Sequence, residues 1–232
     1  MAYLGHSPTT GDNENFRLLD DISTHTLTFD GSSASIVSTT NNTITKSGHR
    51  FVQGQRVTYT HGGGGNIGGL TSGTVYYIID DGKNTIKLAS SASNAASLTA
   101  LNISSVGSGT AHTLTVAFDG VNTKFTASFN SGTKASIKRA AQLSISINGV
   151  MQQPYDSATP TNGYGHDSDS TIVFSTAPAS TDVFWGYVLA SSIVSFNVSD
   201  NDVDTLNGNG STTSFTLSKV PASAKDLIVT ID

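Results

Sequence analysis

Two stretches of the chain follow one pattern, the first in full and the second in part, and this repetition limits the fold more than any other feature. The full copy opens Gly120-Val121-Asn122-Thr123-Lys124-Phe125-Thr126 and continues Leu143-Ser144-Ile145-Ser146-Ile147-Asn148-Gly149-Val150 with Pro154. It closes Thr171-Ile172-Val173-Phe174-Ser175-Thr176-Ala177-Pro178-Ala179-Ser180. The partial copy opens Gly210-Ser211-Thr212-Thr213-Ser214-Phe215-Thr216-Leu217 and runs on from Pro221 to Leu227-Ile228-Val229-Thr230-Ile231-Asp232. Leu227 to Asp232 aligns with Leu143 to Asn148, so the sequence is expected to stop inside a repeating β unit. Self-similarity of this kind belongs to architecture more than to catalysis.

The residue types agree with a β unit. Leu143, Ile145 and Ile147 alternate with Ser144 and Ser146, which puts the three apolar residues on one face of a strand. Asn148-Gly149 is the strongest short hairpin signal, because both central residues of a type I′ turn need positive φ. Residues 150–153 would return, and residues 172–174 and 183–189 would complete the sheet, with Trp185 as a core residue. Upstream, residues 27–29, 43–45, 56–60, 75–79, 85–88 and 114–118 read as further strands, with a hairpin turn at Asp80-Asp81-Gly82-Lys83-Asn84. Strong helix formers are scarce: Glu14 is the only glutamate, and Gly reaches 23 of 232 residues. Helix is expected only as one turn near residues 16–22, with a turn near 136–141. The fold class expected is all-β: tandem small β-sandwich or barrel-like modules preceded by an extended N-terminal arm.

This reading divides the chain into an attachment arm (1–24), a β module (25–117), a complete repeat module (118–198) and the incomplete start of the next (199–232). The arm is polar from Thr9 to Asn15 and holds little apolar surface, so it would be ordered by docking on a partner. Its apolar residues Tyr3, Leu4, Phe16, Leu18 and Leu19 are the candidate attachment anchors, since a few buried anchors usually dominate an interface.

Composition narrows the function classes. Charged residues make up 12% and the net charge is -5, which disfavours nucleic-acid binding. There is no cysteine, and hence no disulfide framework or thiolate metal site. No apolar run spans a bilayer and no secretory signal opens the chain. His61-Gly62-Gly63-Gly64 is similar to an oxyanion-hole loop, but no Gly-x-Ser-x-Gly nucleophile elbow accompanies it, so a flexible loop is expected. Asp200, Asp202 and Asp204 alternate, yet the calcium-loop pattern fails at Thr205 and Ser211. His166-Asp167-Ser168-Asp169 is weaker still. His49, His61 and His112 lack metal-ligand spacing. Catalytic, cofactor-binding and metal residues are therefore expected to be none. Tyr155 and Tyr164, beside the loop after Pro154, are the tyrosines most open to stacking on a sugar, while Tyr76-Tyr77 read as packing residues.

The pattern carried by Gly120, Thr123, Phe125, Leu143 to Val150, Gln152, Pro154, Thr171 to Ser175, Ala177, Pro178, Ser180 and Asp182 resembles a module of tailed-bacteriophage tail-fibre and virion structural proteins. Tyr3-Leu4-Gly5 with Pro8, Gly11 and Leu19-Asp20-Asp21-Ile22 is similar to the opening of phage fibre chains, especially those of marine phages. Asn42-Thr43-Ile44, Gly48-His49-Arg50-Phe51, Gly54, Val57-Thr58-Tyr59, Gly68-Gly69-Leu70, Tyr76-Tyr77-Ile78-Ile79, Asn84 to Ala89 and Gly109-Thr110 resemble a β module inserted in such proteins. One departure is the stretch from Thr126 to Leu143, 17 positions against 11 from Thr216 to Leu227, which adds Lys134, Lys138 and Arg139.

The resemblance implies a non-enzymatic tail-fibre segment located in the virion. It would anchor the fibre to the phage tail and begin the shaft that leads to host recognition. Implied partners are phage tail proteins of adaptor, nozzle or baseplate type, docked through the arm, and further copies of the chain in a trimer. No nucleic acid and no membrane insertion is implied. The alternatives are a glycan-binding host-receptor module, using loops such as 62–69 or 162–170, or the non-catalytic part of a depolymerase tailspike.

Overall fold

The structure is a computed structural model that describes residues 16–129, 132–189, 206–207 and 209–217. The fold is all-β, as composition and period-two alternation require. The strands are β1 (Phe16–Leu18), β2 (Thr24–Phe29), β3 (Val37–Ser38), β4 (Thr43–Thr45), β5 (Arg56–Thr60), β6 (Val75–Asp80) and β7 (Thr85–Ala89). After a short helix α1 (Ala92–Ala96) come β8 (His112–Ala117), β9 (Lys124–Thr126), β10 (Ser128–Phe129), β11 (Thr133–Lys134) and β12 (Leu143–Ile147). The last are β13 (Val150–Met151), β14 (Tyr164–Gly165), β15 (Thr171–Phe174) and β16 (Phe184–Leu189). A 3-10 turn at Ala140–Gln142 overlaps the turn expected near 136–141.

Seven strands form one antiparallel sheet in the order β2-β8-β5-β6-β7-β4-β3. Its inner positions are Leu27, Phe29, Val57, Tyr59, Ile78, Leu88, Leu114 and Val116, all buried, while the alternate positions turn outward. The outward side divides in two. Over β6 and β7 it is apolar (Tyr77, Ile79, Ala89) and covered by α1 through Ala95. Over β2, β8 and β5 it carries threonine, with Thr26, Thr115 and Thr58 in one cross-strand row and Thr28, Thr113 and Thr60 in the next. Threonine suits a bare sheet face, where β-branching favours the strand and the hydroxyl meets water.

A four-stranded sheet, β1-β16-β12-β13, and a three-stranded one, β14-β15-β9, follow. Asn148 and Gly149 both have positive φ (53° and 79°), and the hairpin β12–β13 closes through the two-residue turn the sequence calls for. One buried cluster runs from Leu19 through the seven-stranded sheet to Leu143, Ile145, Phe184 and Val188. Phe118, Phe125 and Phe174 pack edge-to-face inside it, at centroid distances of 4.8 to 6.1 Å.

Four local expectations are corrected. Residues 16–18 are not a helical turn but an edge strand, with Phe16 opposite Leu189 and Leu18 opposite Tyr187. The stretch after it does not stand apart from the body: Leu19 and Ile22 are buried in the main core, and the Leu19 and Asp20 amides donate to Gly186 and Ser128 carbonyls. Helix α1 was not expected. Five residues are too few to show a 3.6-residue period, and its signal is only the Ser91 side chain capping the Asn94 amide. Trp185, expected in the core, is 48% exposed, because on β16 the alternation buries Phe184 and Val188 and turns Trp185 outward.

The body depends on this short N-terminal segment. Leu19→Ala should lower unfolding free energy by about 2–4 kcal/mol through lost burial and a residual cavity. Leu18→Ala, at the exposed neighbouring position on β1, should change it by no more than about 0.5 kcal/mol. Urea denaturation midpoints of the two variants check the contrast.

Candidate functional site

The densest polar cluster lies where the two larger sheets meet. Arg50, on the loop between β4 and β5, donates to Asp20 Oδ2 at 3.1 Å, to Ser128 Oγ at 3.1 Å and to His25 Nδ1 at 3.0 Å. Ser128 Oγ closes the ring by donating to Asp20 Oδ2 at 2.7 Å. A guanidinium can only donate, so His25 Nδ1 is an acceptor and its proton sits on Nε2, which has no protein partner. Burial first, and the Arg50 charge second, push the His25 pKa down to about 4. The cluster joins segments far apart in sequence; its members are engaged with one another, and His25, Arg50 and Ser128 also line a small cavity together with Asp21, Gln55 and Phe125.

A second network is buried inside the seven-stranded sheet. Tyr59 Oη donates to His112 Nδ1 at 2.8 Å and accepts the Ile67 amide at 3.1 Å. His112 Nε2 donates to the Ser108 carbonyl at 3.0 Å. Both ring nitrogens are thereby satisfied and the tautomer is fixed. The glycines around it serve close approach. A Cβ on Gly31 would lie 2.4 Å from the His112 ring, and one on Gly62 would lie 2.0 Å from the Ala111 carbonyl oxygen.

These contacts place the candidates named from sequence. The His61-Gly62-Gly63-Gly64 segment is packed against residues 108–111 and offers no open oxyanion cradle. Lys124 pairs with Asp167, and Lys138 with Asp169, so the acidic loop 166–169 is held by the lysines of the elaborated segment and its neighbours. Burial pushes the Asp119 pKa up, but the Asn122 and Val121 amides and Arg56 outweigh it and hold the carboxyl below its ordinary value. No group of three or more His, Asp or Glu side chains able to hold a metal occurs among the described residues. Asp200, Asp202, Asp204, Tyr3 and Leu4 lie outside the described residues. Phe16 begins β1, Leu18 is exposed and Leu19 is buried.

Of the two tyrosines expected to be open to a sugar, Tyr155 is half-buried and Tyr164 is not accessible. Tyr164 is fully buried and its hydroxyl donates to the Leu143 carbonyl at 2.6 Å; burial raises its pKa. Tyr76 is also buried, and its hydroxyl accepts the Thr71 amide at 2.9 Å. Trp185 and Phe215 are the exposed aromatics among the large hydrophobic residues described, and Trp185 meets Tyr187 edge-on at 5.2 Å. An open depression of about 510 Å³ is lined by Gln53, Asp80, Gly82, Lys83, Leu98 and Lys134. Its Asp80 and Lys134 lie 3.6 Å apart and balance each other.

The repeat has a geometric signature at its opening. Asp119 Oδ1 accepts the Val121 and Asn122 amides at 2.9 and 2.7 Å, and Gly120 has φ 75°. Asn209 Oδ1 accepts the Ser211 and Thr212 amides at 3.0 and 2.7 Å, and Gly210 has φ 80°. The two copies open with the same side-chain-capped turn. Comparison with protein-family models, curated proteins and solved structures finds no match in any of the three.

The junction makes stability sensitive to acid. His25 is neutral in the folded chain down to about pH 4, whereas the unfolded chain takes up the proton near 6.5. Its contribution is fully present above about pH 6.5 and is lost as pH falls toward 4. Thermal melts should therefore show the melting temperature falling across that window, and His25→Gln should flatten the slope there. In the other network, Gly31→Ala should destabilise by about 1–3 kcal/mol through overpacking, read from denaturant midpoints.

Proposed function

We propose that the chain is a non-enzymatic structural segment of a phage tail fibre, carried in the virion. The observation that supports this most is the repeated unit, which the sequence likens to fibre modules and whose two copies open on the same Asx-Gly turn. The fold adds support: the charged clusters of the described residues pair internally, Asp80 with Lys134 at the open depression included, as a structural part requires. The segment anchors the fibre to a tail protein of adaptor, nozzle or baseplate type and begins the shaft. Attachment runs through residues 1–15, with Tyr3 and Leu4 as anchors. Phe16 and Leu18 sit on β1, and Leu19 is committed to the core. The working form is an oligomer of the chain, a trimer in this reading.

Two experiments test the reading. Antibodies raised against the purified chain should label the tail of intact phage particles in electron micrographs; particles free of label overturn the virion assignment. A phage encoding the chain without residues 1–15 should make a folded protein that is missing from purified virions. Normal incorporation would place attachment elsewhere.

A further inference from the structure

An asparagine followed by glycine is the step of a polypeptide most prone to lose its side-chain amide, because the glycine has no Cβ to keep its backbone nitrogen away from the asparagine carboxamide. Three such steps lie within the described residues: Asn148-Gly149, Asn162-Gly163 and Asn209-Gly210. Their side chains are held differently. Asn148 is bound at both ends: Nδ2 donates to Asp182 Oδ1 at 2.8 Å, and Oδ1 accepts the Val183 amide at 2.9 Å. Asn209 Oδ1 accepts the Ser211 and Thr212 amides, past its own glycine. Of the three, only Asn162 has Oδ1 on the amide that directly follows it, with Gly163 N donating at 2.9 Å. No other hydrogen bond among the described residues holds this side chain, and Asn162 is exposed.

We propose that Asn162 is a site of spontaneous modification, converted by its own chain to aspartate and isoaspartate, while Asn148 is protected by its turn. Oδ1 is one bond from Cγ, so the hydrogen bond keeps the attacking nitrogen beside the carbon it attacks, and holding two reacting groups together is itself a large part of a rate. The Gly163 nitrogen bonds to Cγ, the Cγ–Nδ2 bond breaks, and the Gly163 amide proton departs with Nδ2 as ammonia. The product is a succinimide ring. Water opens it, at Cγ to give aspartate or at the main-chain carbonyl to give isoaspartate; no other co-reactant takes part. Packing prevents protection by a bulkier neighbour. Gly163 has φ 56°, and a Cβ there would lie 2.1 Å from the Gln153 carbonyl oxygen, so the residue that permits the attack is the one the loop requires. The Gly163 carbonyl accepts the Ser175 amide at 3.0 Å and the Ser175 hydroxyl at 3.1 Å. Isoaspartate adds a methylene to the main chain just before these contacts, so conversion loosens the entry to β14.

The full chain is aged in neutral buffer, folded or in concentrated urea, and mapped by peptide mass spectrometry that separates the asparaginyl, aspartyl and isoaspartyl forms. In the folded chain Asn162 should convert severalfold faster than Asn148 and Asn209. In urea, where the side-chain bonds are gone, the three should convert at similar rates. Asn162→Gln, whose longer side chain closes the ring poorly, should end conversion at that position and keep the wild-type circular dichroism spectrum. Asp182→Ala removes the acceptor of Asn148 Nδ2 and should raise conversion at Asn148 severalfold while Asn162 converts as before. Equal rates at Asn148 and Asn162 in the folded chain overturn the proposal. So does an Asn162 that stays intact in the folded chain while urea converts it, since the hydrogen bond would then protect. An unchanged rate at Asn148 in Asp182→Ala would likewise show that side-chain engagement does not order the sites.

Discussion

The Arg50 guanidinium holds together three parts of the chain that lie far apart in sequence. It reaches Asp20 ahead of the large sheet, His25 on β2 and Ser128 on β10. Hydrogen bonds to charged groups each contribute about 1.5–3 kcal/mol where water is partly excluded. The larger effect is on arrangement. Apolar packing has no preferred direction, and the continuous core from Leu19 to Val188 would tolerate small slippage between sheets. A planar fork with three fixed acceptors does not. The junction therefore sets the angle at which the apolar residues following β1 enter the core.

The alternation of side chains explains which parts of this fold were legible. Residues 43–45, 56–60 and 143–147 are strands over those limits, because each alternates strictly between turn residues. Asn148-Gly149 names its own turn. What could not be read locally was anything decided by a distant partner. Residues 16–18 become a strand because β16, far along the chain, offers an edge. Trp185 looked like a core residue by type; only the register of β16 against β12 turns it outward. Tyr164 looked accessible by its loop context, yet its hydroxyl is taken by the carbonyl of Leu143. In each case residue type suggested burial or exposure and tertiary pairing decided it.

The pairing of charged side chains with one another among the described residues follows from how few of them the chain has. With charged residues at 12%, most ionic groups among the described residues are spent on fixing loops: Lys124 on Asp167, Lys138 on Asp169, Arg56 on Asp119. Tyr59 and His112 saturate one another inside the large sheet. A chain so sparing of charge builds its loops from glycine and short hydroxyl side chains, and such loops hold shape by close backbone approach, as at Gly31 against His112.

The pairing of Phe16 with Leu189 has a mechanical meaning. The first strand of the body and its last lie antiparallel and adjacent, and the chain enters and leaves at the same end of that pair. Tension applied along the polypeptide, from residue 15 to residue 190, acts at neighbouring points and bypasses the rest of the core. It would peel β1 from β16 rung by rung, as a zipper opens, rather than break all rungs at once in shear. Under load this ladder would therefore yield first and the large sheet last, giving the fold a weak first step and a protected remainder.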